Sequence, residues 1–285
     1  MSVKKYIPHV QIHPLLIFFM FISVFTGTFV QLAIILLIVF VHELGHYIAA
    51  RYYKWRIQTI VLWVFGGVMK TDEYGSRKIF EEFIVTIAGP FQHLIIYLFV
   101  IGLLKNIPLP ESIIFLLLYY NTIILLFNLL PIWPLDGGKL FFLLNSLFFP
   151  YRQAYEHTII FSMIISFVLI TAHIFLFPFN LSSLLIIIFL LIENSKDWQQ
   201  RYYIFIRFLL QRYEMPKNIG RLTSIVVPIN MPLKQVFQKF YQGRRHLVYV
   251  VDKKREQTIV VDEHHCLQLY FEKKYLRQPI GKLVS

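Results

Sequence analysis

Cysteine occurs once in this chain, at Cys266, so no internal disulfide framework is possible, and no cysteine-rich metal site either. Any metal must be held by His, Asp or Glu. Charge is also scarce: Asp, Glu, Lys and Arg make up 15% of the residues against 57% hydrophobic ones, and the first two thirds of the chain exceed what a soluble core could absorb. A small-residue cleavage pattern is missing after Lys4 and Lys5, so the first hydrophobic segment is expected to stay in the protein. These absences leave a polytopic membrane protein.

Apolar runs of about 20 residues predict six spans, near 14–30, 31–50, 82–104, 112–131 with an irregular continuation to about 148, 157–174 and 178–194. Lys4 and Lys5, then Arg51, Lys54, Arg56, Lys70, Arg77 and Lys78, then Arg152 all fall on one side of those spans. The opposite loops, Thr26-Gly27-Thr28 and 176–180, carry no lysine or arginine, and only Lys105 breaks the pattern. Both termini are therefore expected in the cytosol. The net charge of +12 is explained by this orientation and by anionic lipid, so the bilayer is the expected partner and nucleic acid is not.

Into the second span is set His42-Glu43-Leu44-Gly45-His46, directly after the apolar run Leu32 to Val41. On a helix, histidines four apart lie about 40° from each other on one face and can grip one metal ion, with Glu43 beside them as a base for a water molecule. An ionisable residue in the middle of a span costs roughly 2.5–3.5 kcal/mol on an insertion scale, and catalysis supplies a reason to keep one there. A third ligand must reach the same depth, roughly 8–14 Å from the cytosolic edge at the helical rise per residue. The inner end of the fourth span reads Asn128-Leu129-Leu130-Pro131-Ile132-Trp133-Pro134-Leu135-Asp136-Gly137-Gly138, which brings Asp136 to that level. Its prolines and glycines predict broken backbone, tolerated at membrane depth only around a cavity or inside protein.

His42, His46 and Asp136 thus form a candidate zinc site with an open position, and Glu43 is the candidate general base. A metzincin is excluded because Ala49 and Tyr52 stand where that class needs a glycine and a third histidine. A thermolysin-type site needs a glutamate where Trp55 to Gly67 contains no acid. A metal-ion transporter would need ligands stacked at several depths. An inert binding scaffold would have no need of Glu43.

Together, His42-Glu43-x-x-His46, Ala88-Gly89-Pro90-Phe91-Gln92-His93 and Asn128-x-x-Pro131-x-x-Pro134-Leu135-Asp136-Gly137 resemble the site-2 protease family of intramembrane metalloproteases. Six spans followed by a cytosolic domain, with the contiguous stretch Asn128 to Lys139, resemble the sporulation branch of that family. The resemblance implies a zinc endopeptidase that cuts a membrane-associated pro-sigma factor of late sporulation in the mother-cell membrane around the forespore. It also implies membrane-embedded inhibitory proteins that hold the enzyme silent.

Residues 57–69, apolar, rich in β-formers and interrupted by Gly66-Gly67, predict a re-entrant β-hairpin whose edge could hold an extended substrate. Asn128, Pro134, Gly66 and Gly67 are the candidate substrate-binding or site-supporting residues. Asn128 either fixes the substrate strand or caps the helix break, and His93 either packs or hydrogen-bonds within the helices, or lines the active-site gate. Tyr52, Tyr53 and Trp55 are expected at the inner membrane boundary, His9 and His13 in the interface, and His264-His265-Cys266 at a surface or β-edge.

The predicted fold is therefore an α-helical polytopic membrane protein of six transmembrane helices with a re-entrant β-hairpin, plus a small cytosolic α/β domain. Its divisions are a membrane metalloprotease domain over 1–194, an amphipathic linker over 195–220 and the cytosolic domain over 221–285. In the last, strands at 224–227, 246–251 and 258–261 and helices at 233–241 and 267–274 give a β-α-β-β-α order that resembles a cystathionine-β-synthase-type (CBS-like) module. That resemblance implies pairing with a second copy, hence a homo-oligomer, and ATP at the paired cleft, although no glycine-rich phosphate loop is present. Arg244-Arg245 is either a solvated turn or a phosphate contact, and with Lys253-Lys254-Arg255 it could instead dock an acidic substrate.

Overall fold

The computed structural model describes residues 9–12, 14–63, 66–71, 73, 75, 77–102, 110–176, 180–214, 221–252, 257–273 and 278–284. Lys4, Lys5, His13, Lys105 and Lys253-Lys254-Arg255 lie outside them. The chain divides into two compact units, one built from Met1–Tyr74, Glu81–Leu140 and Leu181–Ile186, the other from Gly75–Phe80, Phe141–Asn180 and Ile187–Ser285.

The first unit runs β1 (His9–Ile12), α1 (Pro14–Phe25), α2 (Phe29–Tyr52), β2 (Ile57–Trp63), β3 (Gly66–Thr71), α3 (Ile79–Gly102), α4 (Glu111–Asn128) and the start of α5 (Asp136–Phe148). Along α2 the residues at four-residue steps Ile34, Ile38, His42 and His46 are buried, as are Val39 and Glu43, while Leu37, Phe40, Leu44 and Ile48 are exposed. The motif therefore sits on the packed stripe, and the apolar remainder faces outward. Lys54 adopts a left-handed conformation (φ 58°) and reverses the chain, with the Trp55 N–H closing on the Ala50 carbonyl. Trp55 is buried with Ala50, Ile57, Met69 and Val85, so it ties the hairpin to α2 and α3 and does not face outward.

The expected hairpin is present: β2 and β3 pair antiparallel, Ile60 opposite Met69 and Leu62 opposite Gly67. β1 adds in parallel to the other side of β2. This four-residue strand was not expected, since His9-Val10-Gln11-Ile12 is too short to show a period. The helix break is where the prolines put it: α4 stops at Asn128, turns occupy 129–135, and α5 starts at Asp136.

Among the described residues four helices, α2, α3, α4 and α6 (Tyr151–Leu176), are long and apolar enough to cross a membrane. α1 has 12 residues, a rise of about 18 Å against a hydrocarbon core of about 30 Å. The sixth expected span and the first part of the expected amphipathic linker over 195–220 are joined in one continuous helix, α7 (Leu181–Glu214).

The second unit contains α6, most of α7 and a C-terminal module of β4 (Leu222–Pro228), α8 (Leu233–Phe237), β5 (Arg245–Asp252), β6 (Gln257–Asp262), α9 (Glu263–Phe271) and α10 (Gly281–Val284). Its sheet has the order β4-β5-β6, parallel then antiparallel, and its elements follow the expected β-α-β-β-α sequence. α9 begins at Glu263 rather than Leu267 because the Asp262 carboxylate accepts the His264 N–H at the helix start. Cys266 is consequently buried in the first part of a helix, and the His264 ring stacks on Tyr213.

Near the end of α7, the buried Arg212 guanidinium donates to the Glu263 carboxylate and to the carbonyls of Tyr241 and Arg244. Glu263 also accepts from the backbone N–H and Nδ1 of His246, both at 2.9 Å, while the Tyr241 N–H donates to His246 Nε2 at 3.0 Å. The Tyr151 ring stacks on Phe208 at 3.9 Å, and the Tyr151 N–H donates to the Phe240 carbonyl. Burial alone would raise the Glu263 carboxyl, but the hydrogen bond from His246 and the Arg212 charge outweigh it and hold it at about 2. Burial pushes the His246 imidazole below 6.5.

Both groups bind protons less readily folded than unfolded, so stability is lost as the pH falls. Limited proteolysis of the C-terminal module is expected to show weakening as the pH drops below 6.5, where unfolded His246 charges, and further below 4.5 towards about 2, where Glu263 must protonate. Arg212→Met, which strands a buried carboxylate, is expected to cost about 3–5 kcal/mol. Unchanged protection across that pH range in the parent would contradict this role.

Candidate metal centre

His42 and His46 project from one face of α2, and Asp136 is the first residue of α5. Their approach is close and even: His42 Nε2 to His46 Nε2, His46 Nε2 to Asp136 Oδ2 and His42 Nε2 to Asp136 Oδ2 are each 3.1 Å. All three side chains are buried. Among the described residues this is the one group of three or more His, Cys, Asp or Glu side chains placed to hold a metal.

The far side of each group is engaged. His46 Nδ1 lies 2.7 Å from the Val85 carbonyl, an acceptor only, so Nδ1 carries the proton and Nε2 presents a lone pair. His42 Nδ1 lies 3.0 Å from His93 Nε2, and Lys139 Nζ donates to Asp136 Oδ1 at 3.0 Å. Two imidazole lone pairs and a carboxylate oxygen thus converge. Bonds of about 2.0–2.1 Å to a tetrahedral Zn2+ would place the donors about 3.3 Å apart, close to the observed spacing. A single proton could bridge only one pair of the three. The residues fit the metal.

Glu43 lies one position along from His42, buried, and has no hydrogen-bond partner among the described residues. Gly67 of β3 lies against it: a Cβ there would meet Cγ, Cδ and Oε1 of Glu43. Gly89 of α3 plays the same part for the ligands, since a Cβ there would meet the His46 and His42 rings. Gly66 heads β3 opposite Trp63. Asn128 donates to the Ile124 carbonyl at 3.0 Å at the end of α4, and the Trp133-Pro134 peptide in the turn before Asp136 is cis.

Sequence reasoning left three contributors unassigned. Lys139 lies in the motif stretch with no role that spacing assigns, and His93 is open between packing or helix hydrogen bonding and gating. Asn121 was missed, although an amide in an apolar span needs a partner and could have been questioned on that ground. Its Oδ1 lies 2.7 Å from His93 Nδ1.

This fold and site define an intramembrane zinc metalloendopeptidase of the site-2 protease type. Residues 30–112 match Peptidase family M50, and the chain belongs to that family. Along nearly its whole length it is similar to Stage IV sporulation protein FB of Bacillus subtilis (strain 168), with 34% identity over 277 residues, 96% of each chain. It is 31% identical over 115 residues to zinc metalloprotease MJ0392 of Methanocaldococcus jannaschii, covering 38% of this chain and 33% of that one. The solved structure of a site-2 protease from the same archaeon shares the fold, with a TM-score of 0.53 at 22% identity, covering 66% of this chain and 89% of its own. The chain is an integral membrane protein.

Gly89→Ala is expected to displace both imidazoles and lower bound zinc at least about tenfold, a loss of the size seen when a metal's surroundings are disturbed. Gly102→Ala on the same helix, with nothing within 4 Å of the added carbon, is expected to keep it. Zinc per purified chain, measured by mass spectrometry, decides between them.

Proposed function

We propose that this protease hydrolyses a peptide bond in a membrane-associated precursor, a pro-sigma factor of late sporulation, with His42, His46 and Asp136 as zinc ligands and Glu43 as general base. The observation that carries the proposal is the 3.1 Å triangle of donor atoms with the buried Glu43 carboxylate, which has no hydrogen-bond partner among the described residues, on the same helical turn. The pro-sigma substrate rests on the sporulation resemblance and on a sporulation protein being similar over 96% of the chain.

Bound zinc supplies polarisation of the scissile carbonyl and a water whose pKa falls towards about 7. Glu43 takes the proton from the attacking water on its carboxylate and delivers it to the departing amine nitrogen. Lys139 holds Oδ1 of Asp136 and leaves Oδ2 for the metal. The substrate lies as an extended strand along the open edge of β3, which among the described residues pairs only with β2, and Gly67 brings that edge beside Glu43. Gly66 and Gly67 keep the edge bare, and Asn128 and Pro134 shape the turn that delivers Asp136.

The topology that goes with this reading has six passages and cytosolic termini in the mother-cell membrane around the forespore. α1 with its flanking residues and the apolar first half of α7 would complete the six. The C-terminal module is read as CBS-like from its β-α-β-β-α order, which would bring a second copy and ATP. Arg244 donates to the Leu147 carbonyl and Arg245 pairs with Asp262, which favours a structural role for both. Membrane-embedded inhibitory proteins belong to the same reading.

Glu43→Gln is expected to keep about one zinc per chain while lowering cleavage of a membrane-associated pro-sigma factor by about 10²–10⁴-fold. Asp136→Asn is expected to lose zinc as well. Equal cleavage by parent and Glu43→Gln, or no zinc in an active parent, would overturn the mechanism.

A further inference from the structure

Two buried side chains outside the ligand set, His93 on α3 and Asn121 on α4, form a chain of hydrogen bonds that ends on His42. Both are fully buried. Asn121 Nδ2 donates to the His93 backbone carbonyl at 3.1 Å, and a carbonyl can only accept, so the orientation of the amide is fixed and Oδ1 must face His93 Nδ1. Oδ1 also only accepts, hence the His93 proton is on Nδ1. His93 Nε2 is then a lone pair, and it lies 3.0 Å from His42 Nδ1. The His42 proton must therefore be on Nδ1, which leaves Nε2 as the lone pair that meets His46 and Asp136.

We infer that His93 and Asn121 are positioning residues that set the tautomer and ring orientation of His42 for the metal. The inference rests on the zinc-site reading given above. Among the described residues neither side chain hydrogen-bonds to His46 or Asp136: Asn121 acts through His93, and His93 through His42. The link runs through α4, α3 and α2 and starts from a backbone carbonyl, a group with no alternative protonation state. His46 needs no such chain because its Nδ1 meets the Val85 carbonyl directly. The two imidazoles are thus oriented in different ways, one by backbone and one by a relay of side chains, and only the second orienting hydrogen bond can be removed by truncating a side chain outside the ligand set. Partners of this kind typically contribute 10–100-fold in metal affinity.

The test uses two amides that differ by one methylene. A glutamine side chain reaches about as far as histidine Nε2 and can accept from His42 Nδ1, whereas an asparagine stops near the Nδ1 position and cannot. Zinc release to a chelator from the full-length, detergent-purified protein is expected to be at least about tenfold faster in His93→Asn and within about threefold of the parent in His93→Gln. Asn121→Ala is expected to speed release about tenfold in the parent but less than about twofold in the His93→Gln background, where the side chain at 93 has no tautomer to set. Circular dichroism of each preparation separates metal loss from unfolding, and His93→Gln carries the comparison if His93→Asn does not fold. Parental zinc release in folded His93→Asn, or an equal effect of Asn121→Ala in both backgrounds, would overturn the inference. Failure of the parent itself to bind zinc would instead remove the metal-site reading on which it rests.

Discussion

Three lone pairs from two imidazoles and a carboxylate, each about one hydrogen-bond length from the other two, repel one another unless something positive lies between them. In this chain they are held there by groups that do not yield: a backbone carbonyl behind His46, a histidine–asparagine chain behind His42, and Lys139 behind Asp136. Burial removes the water that could otherwise separate them. A proton can relieve one contact, while a divalent cation answers all three. Much of the first unit can be understood as the structure needed to keep this arrangement in place.

That requirement accounts for features that general packing does not demand. α3 carries glycine at 89 because the ligand rings occupy the space a side chain would fill, and β3 carries glycine at 67 because Glu43 does. The backbone breaks between α4 and α5 so that a carboxylate can enter at the level of His42 and His46 from a different part of the chain. Trp55, Met69 and Val85 pack the hairpin and α3 together beside the end of α2. In the second unit a different buried ion pair, Arg212 with Glu263, fastens the C-terminal module to α7.

That His42, Glu43, His46 and Asp136 come together was legible in the sequence because ionisable residues in an apolar run are conspicuous and because a helical period fixes which of them share a face. His42, Glu43 and His46 follow from spacing, and Asp136 follows from depth and from prolines that forbid a continuous helix. The hairpin was legible from its β-formers and paired glycines. Asn121 was not, since a neutral amide among Tyr119, Tyr120 and Thr122 has no period and its meaning lies in a partner 28 positions away. β1 was hidden by its length. The packing of Trp55 was not legible because an aromatic next to basic residues suits an exposed and a packed position equally well, and the reversal at Lys54 turns it inward. The join of the last apolar run to the amphipathic helix was hidden for a related reason: the change in composition at Glu193 marks a change of surroundings, and the backbone runs through it.

The most direct measurement is X-ray absorption at the zinc edge on the purified full-length protein. The expected result is about one zinc per chain in a shell of nitrogen and oxygen alone at about 2.0–2.1 Å, with the scattering pattern of two imidazoles. A protein that binds no zinc, or a zinc shell lacking two imidazoles, would contradict a centre built from His42, His46 and Asp136.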